Sequence, residues 1–512
     1  PIATMTTSNQ TWKERGARLA AGLMFASLLL LLAGCTLFNR PKPDPWAAYR
    51  AGLAPLSQNI LDSRSDWPRY SLDLQIDPET RTIQGSQEVI ITNDTQFTWG
   101  DLYFRLFPNL PHFDGEMEIA SVQRAGRPLP FSYAADRTAI RVAPPQPVAP
   151  GASLTLDLIF SVEAPAPTES YVLFGASQGI LNLPLAYPVL AVFDQAAAAA
   201  SEPIPWRLDM PATYGDTAFT QAALYQVTAT LPSTFTVVAT GVLLGRTSSA
   251  DGQDTWRWTS GPIREWMMTL SPDFHVVSTS AYSTTVNSYF LSGDEVTGNE
   301  ALQIAAAALR VYQDHYGRYP YPAMDIVASP LQYRGMEFPG LDLIGLGLYR
   351  QRTQDLEFLI VHEVAHQWWY NMVGNDPVRT PWLDEGLAEY STYVYLEAVR
   401  GQAAADNLLA NRWQTPVTYA RNNGLDAVVN QPASAFGPGR YETIVYAKAA
   451  LFFHAVRQEV GDDMFFRILK AYVQRYRFRE VQPADFVSLA ERLSGKSLAA
   501  IYNEWVLSYV TP

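Results

Sequence analysis

Two hydrophobic periods divide the chain. From about residue 66 to 280, apolar residues recur at every second position. Tyr70, Leu72, Leu74 and Ile76 alternate with Ser71, Asp73 and Gln75, and Leu154, Leu156, Leu158 and Phe160 repeat the alternation. Tyr225, Val227, Ala229 and Leu231 do so again. Successive side chains of a strand point to opposite faces, so the pattern predicts half-buried antiparallel strands. Turn pairs such as Asp77-Pro78 and Pro150-Gly151 separate them. Residues 67–280 are therefore expected to form an N-terminal all-β domain. The alanines of 196–200 read as a surface loop rather than a helix, and no internal repeat points to a solenoid.

Beyond residue 280 the period becomes helical. The Ala-rich stretch 299–315 is followed by Gly317, a common helix stop. Thr380 and Pro381 read as the N-cap and first position of a helix that halts at Gly401. Another helix is predicted over 354–372, and three or four more over 442–507. Residues 281–512 are thus expected to be a second, mainly helical domain. The predicted fold class is multidomain, a β domain followed by an α+β domain.

Composition adds little to this, but charge does. With 48% hydrophobic and 17% charged residues, the 512-residue chain is ordinary globular protein with room for two or three domains. A net charge of -13, with no basic block, argues for no nucleic-acid partner. The N-terminus is different in kind. Lys13, Arg15 and Arg18 precede an apolar run that closes on Leu32, Ala33, Gly34 and Cys35. These are the parts of an export signal over residues 1–34, and the last four resemble a bacterial lipobox. The run is shorter than the roughly 20 apolar residues of a membrane span. Cys35, the single cysteine, has no intrachain partner and stands where such signals place a lipidated residue. Residues 35–66, with Pro41, Pro43, Pro45 and Pro55, read as a Pro-rich tether. The expected location is the bacterial cell envelope, on the extracytoplasmic face of a membrane, held by an N-terminal lipid anchor.

The candidate chemistry sits at VHEVAHQWWY, residues 361–370. On a helix, positions i and i+4 differ by about 40° in azimuth, so His362 and His366 point the same way and can share one metal ion. Glu363 lies about 100° around from His362, placed to act on a water at the metal rather than to ligate it. Two imidazoles need a third ligand. The 18 residues between His366 and Glu385 suffice to finish one helix, turn and begin an antiparallel neighbour, which brings Glu385 back to face the histidines.

This pattern, with Glu385 inside WLDEG, resembles the gluzincin family of aminopeptidase N and leukotriene hydrolase. Two further segments agree. YRGMEFPG, with Gly335, Met336 and Glu337, is similar to the family's G-x-M-E-N exopeptidase motif, and VYAKAA, with Tyr446 and Lys448, to its Y-x-K-G-A segment. The chain departs from the motifs at Arg334, Phe338, Asp384 and Ala449. The resemblance runs over residues 66–512 and implies a short lipoprotein form, with a thermolysin-like zinc-peptidase domain over 281–512 and no C-terminal helical domain beyond it. It implies one Zn2+ held by His362, His366 and Glu385, Glu363 as the base acting on a zinc-activated water, and Tyr446 as donor to the oxyanion. Glu337, with Gly335 and Met336 beside it, would bind the α-ammonium of peptide substrates.

Plainer readings stand beside these. Tyr441 rivals Tyr446, and Glu389, one turn past Glu385, is either a partner of a ligand histidine or a surface acid. Trp368 and Trp369 read as core, Lys448 as pocket support, and His112, His275, His315 and His454 as structural. The expected function is a zinc metallopeptidase of aminopeptidase type. An endopeptidase on the same scaffold and a non-catalytic surface-binding lipoprotein stay open.

Overall fold

The computed structural model describes residues 44–168, 172–212, 214–331, 334–351 and 355–510. The export signal, Cys35 and the first part of the tether lie outside the described residues. Ala48–Pro512 group into one compact unit. Among the described residues no helix is long and apolar enough to cross a membrane.

The period-two segments become the strands of the first half. An eight-stranded sheet has Arg69–Asp77 at its centre, between Thr82–Thr92 and Leu224–Pro232. The strand Arg69–Asp77 buries Tyr70, Leu72, Leu74 and Ile76 and turns the residues between them outward. One pairing differs from the expected antiparallel sheet: Arg69–Asp77 runs parallel to Leu224–Pro232. Two four-stranded sheets complete this half.

Other features differ from expectation. His275–Ala281 and Thr284–Phe290 pair with each other and then, in parallel, with Ala323–Ser329. They belong to a five-stranded sheet of the second half, so the change of domain falls before residue 275 rather than at 280. The tether is also shorter. Arg50–Gly52 and Pro55–Ser63 are 3₁₀ turns that bury Leu53, Ile60 and Leu61, and the Ala54 amide donates to Pro320 O at 2.8 Å. Residues 48–66 therefore pack as part of the body. Finally, Gln195–Ala199 is a short helix and not a loop, because the Asp194 carboxylate accepts the amides of Ala196 and Ala197 as an N-cap.

The second half packs helices on its mixed sheet. Glu295–Tyr316, Asp355–His366 and Trp382–Arg400 lie against one another. Trp368 and Trp369 fill the space behind the histidine helix, their indole N–H groups donating to Gly317 O and Ser391 Oγ. That helix is shorter than predicted and ends at His366. Tyr370 follows in the left-handed region, at φ 81°, which continues no helix.

The halves are joined by Arg264, a fully buried guanidinium from the β half. Nε donates to Tyr370 O at 2.6 Å, Nη1 to Thr220 O at 2.8 Å and Nη2 to Arg479 O at 3.0 Å. Gly374 leaves it room: a Cβ there would overlap the guanidinium.

Candidate active site

The histidine helix and the helix Trp382–Arg400 bring three buried ligand atoms together. The Nε2 atoms of His362 and His366 are 3.2 Å apart, and Glu385 Oε2 is 3.2 Å from the first and 3.3 Å from the second. One tetrahedral ion about 2.0–2.1 Å from each donor would hold them roughly 3.3–3.4 Å apart, so two nitrogens and one oxygen fit zinc. Burial works against the Glu385 carboxylate, yet His362 and His366 hold its pKa down to about 2.

Each histidine is oriented from behind. His366 Nδ1 meets Trp369 O at 3.2 Å, a carbonyl that only accepts, which leaves Nε2 for the metal. His362 Nδ1 lies 3.5 Å from Glu389 Oε2. Glu389 is no surface acid: it is buried, and its Oε1 accepts from Trp413 Nε1 at 2.6 Å and Arg412 Nε at 2.7 Å. Burial disfavours its charge, but Arg412 and His362 bring its pKa down to about 2.

Glu363 is buried beside Gly335, whose backbone passes so close that a Cβ would overlap the carboxylate. Burial, with Glu337 and Glu385 adding to it against the two histidines, pushes Glu363 up to about 8. Tyr446 Oη donates to Glu385 Oε1 at 2.5 Å, and burial with Glu385 beside it keeps the phenol protonated. Tyr441 also lines the cleft, but its hydroxyl lies against Gly215 and bonds to no side chain among the described residues. Glu337, 8% exposed, stands in the edge strand Gly335–Phe338, with its carbonyl fixed by Asn371 Nδ2 at 2.8 Å. Met336 lines the same cleft. Lys448 does not reach it. It is fully buried, paired with Asp426 at 2.7 Å and donating to Ala427 O and Ser508 O.

The cleft, about 530 Å³, takes walls from both halves. Here sequence reasoning missed two residues. His112, read as structural, lines it. Asp216 enters on an irregular loop of the β half, and burial, then Glu337, Glu385 and Asp384, pushes its carboxyl well up. Gly215 on that loop abuts Tyr441, where a Cβ would stand 2.5 Å from Oη. Tyr214 packs on the same ring at 5.2 Å. The loop is tied to the helical half by Arg379, whose Nη2 donates to both oxygens of Asp209, at 2.9 and 3.1 Å. Its dipeptide Gly215-Asp216 carries no periodicity. A bare acid beside a turn glycine is what the sequence offers for it.

Residues 300–505 match the model of the peptidase family M1 domain. The alanine/arginine aminopeptidase of Saccharomyces cerevisiae is 26% identical over 259 residues, 46% of this chain and 29% of that protein. Aminopeptidase N of Lactococcus lactis subsp. lactis is 26% identical over 224 residues, 40% of this chain and 26% of that protein. The match thus spans less than a third of the length of these relatives. Among solved structures, the M1 zinc metallopeptidase of Deinococcus radiodurans has a TM-score of 0.62 at 20% identity, covering 87% of this chain and 94% of that one. A mutant of that enzyme bound to a Tyr-Ser-Ala substrate gives 0.64 at 21% identity, over 87% and 95%.

Proposed function

We propose that the protein is a zinc-dependent aminopeptidase of the peptidase M1 family, of aminopeptidase N-like gluzincin type, that removes N-terminal residues from peptides; the match of residues 300–505 to the M1 domain supports this. The observation that carries the reading is a pair of neighbouring acidic side chains from opposite halves, Glu337 and Asp216, that both line the cleft. An α-ammonium, cationic near neutral pH, would be held there by charge-assisted hydrogen bonds. The loop of residues 214–217, seated on Tyr441, limits the space behind it. Zinc bound at the triad supplies Lewis acidity and brings the pKa of a water to about 7. Glu363, beside the triad, would take the proton of the attacking water and return it to the leaving amine. Tyr446 donates to the oxyanion. The neighbour solved with Tyr-Ser-Ala supports a peptide substrate.

The test compares aminoacyl substrates with their N-acetylated forms. Acetylation and Glu337→Ala are each expected to lower kcat/KM sharply, and the two losses should not add, because both remove one ion pair. Glu363→Gln should keep stoichiometric zinc and lose most turnover. Equal cleavage of acetylated substrates would sink the exopeptidase reading and favour an endopeptidase. Loss of zinc from Glu363→Gln would overturn the role given to Glu363.

We also propose that the enzyme works in the bacterial cell envelope, lipid-anchored through Cys35 on the extracytoplasmic face of a membrane. The support is the sequence of residues 13–35: basic residues, a short apolar run, then Leu-Ala-Gly-Cys.

A further inference from the structure

The cleft holds a cation whose outer edge the reaction above leaves unused. Arg412 stands on the helical segment Leu409–Gln414 and lines the cleft with Phe358 and Tyr446. Its guanidinium lies 3.8 Å over the ring of Phe358, and Phe358 stacks in turn on His362, with ring centres 6.1 Å apart. Nε is taken by Glu389, while the side chain stays 48% exposed. Stacking fixes the plane and Glu389 fixes one edge. The remaining Nη1/Nη2 edge meets no acceptor among the described residues and presents a preset fork of the kind that matches a carboxylate. Glu442 also lines the cleft, but it is exposed, screened by water, and forms no ion pair with Arg412 among the described residues.

Its place along the substrate follows from its neighbours. Glu337 is tied to His366 through Asn371, whose Nδ2 donates to Glu337 O at 2.8 Å and whose backbone N–H donates to His366 O at 3.1 Å, whereas Arg412 is joined to His362 through the ring of Phe358 and through Glu389. The acid proposed for the amine thus neighbours one ligand histidine and the guanidinium neighbours the other. Residues that follow the scissile bond run toward Arg412. One extended residue spans about 3.3–3.6 Å, so a group that reaches the fork belongs to the first residues past the cut.

We propose that Arg412 binds a peptide carboxylate just past the scissile bond, so that the enzyme selects its substrates by their leaving part. The inference rests on the aminopeptidase reading. The carboxylate has two sources, the C-terminus of a short peptide and an acidic side chain after the cut.

The experiment uses the full zinc-loaded protein and matched pairs. Ala-Ala and Ala-Ala-Ala are compared with their C-terminal amides, and Ala-Asp-amide with Ala-Asn-amide, in wild type, Arg412→Lys and Arg412→Gln. In the wild type at least one charged member should be favoured by about tenfold in kcat/KM, mainly through KM, as one charge-assisted pair supports. The pair that shows it identifies the source. Arg412→Gln also loosens Glu389, which lowers every rate, but that loss is common to both members and leaves their ratio. The ratio should fall to near one in Arg412→Gln and stay intermediate in Arg412→Lys. Ratios near one for all wild-type pairs, or a ratio untouched by Arg412→Gln, would overturn the proposal. Should Arg412→Gln fail to fold or to hold zinc, the wild-type ratios and Arg412→Lys decide alone. Failure of the aminopeptidase reading shows separately, as no hydrolysis of Ala-Ala-amide.

Discussion

Gly335 lacks a side chain where Glu363 needs the space, and Tyr446 points a hydroxyl where Tyr441 points only at a neighbouring loop. Such contacts turn motif letters into roles that can be separated. Tyr446→Phe is expected to lower kcat by roughly a hundred- to a thousandfold with KM little changed, as loss of one oxyanion donor does elsewhere. Tyr441→Phe is the control, and a larger loss there would exchange the two. A third buried residue sets a pH dependence. Glu265 accepts from Tyr370 Oη and, at 2.8 Å, from Thr220 Oγ1, and burial pushes its pKa up to about 7. Because the folded pKa is raised, the stability it contributes is present below about 4.5 and is lost as pH rises through 7. Glu265→Gln should therefore gain on the wild type between pH 4.5 and 7 and hold a constant lead above, by at most about 3 kcal/mol. Urea midpoints at pH 5, 6 and 8 measure this, and a lead that shrinks with pH would refute it. At this scale the metal-binding triad was legible because helical spacing alone turns His362 and His366 to one side. Glu389 was half legible, one turn past Glu385. Asp216 was not, since only the fold brings its loop to residues more than a hundred positions away.

Among the elements, period and capping located helices and strands but not their partners. The strands at 275–290 alternate like those before them, and nothing in alternation says which sheet they join. Proline spacing over 41–55 suggested an extended tether, yet Leu53, Ile60 and Leu61 supply enough apolar surface to pull the chain down from residue 48. The alanine run, read as a surface loop, became a helix because Asp194 caps it. The bridge between Val373–Gly374 and Arg479–Glu480 is only two residues long, yet it lies against Arg264. A methyl group at Gly374 would drive Arg264 from its carbonyls. Gly374→Ala is expected to destabilise by about 3 kcal/mol or more, the scale of a buried charge losing its partners, and to lower Tm. A Tm within a degree of the wild type would show that the guanidinium relocates freely.

For the whole molecule, the two-part plan was legible and the manner of its joining was not. If Cys35 carries lipid, Cys35→Ala should shift the protein from the membrane to the soluble fraction or leave it unprocessed. A correctly cleaved mutant that still fractionated with detergent would end the anchor reading. The joining itself bears on synthesis. Arg264 leaves the ribosome with the β half and with Thr220, but two of the three carbonyls that receive it lie at Tyr370 and Arg479, more than a hundred positions further on. Until those residues emerge, the first half carries a guanidinium that lacks two of its three carbonyl partners, on the face that should close. On the export reading, that delay keeps the nascent chain threadable through a translocation pore and postpones the final docking until the polypeptide has crossed.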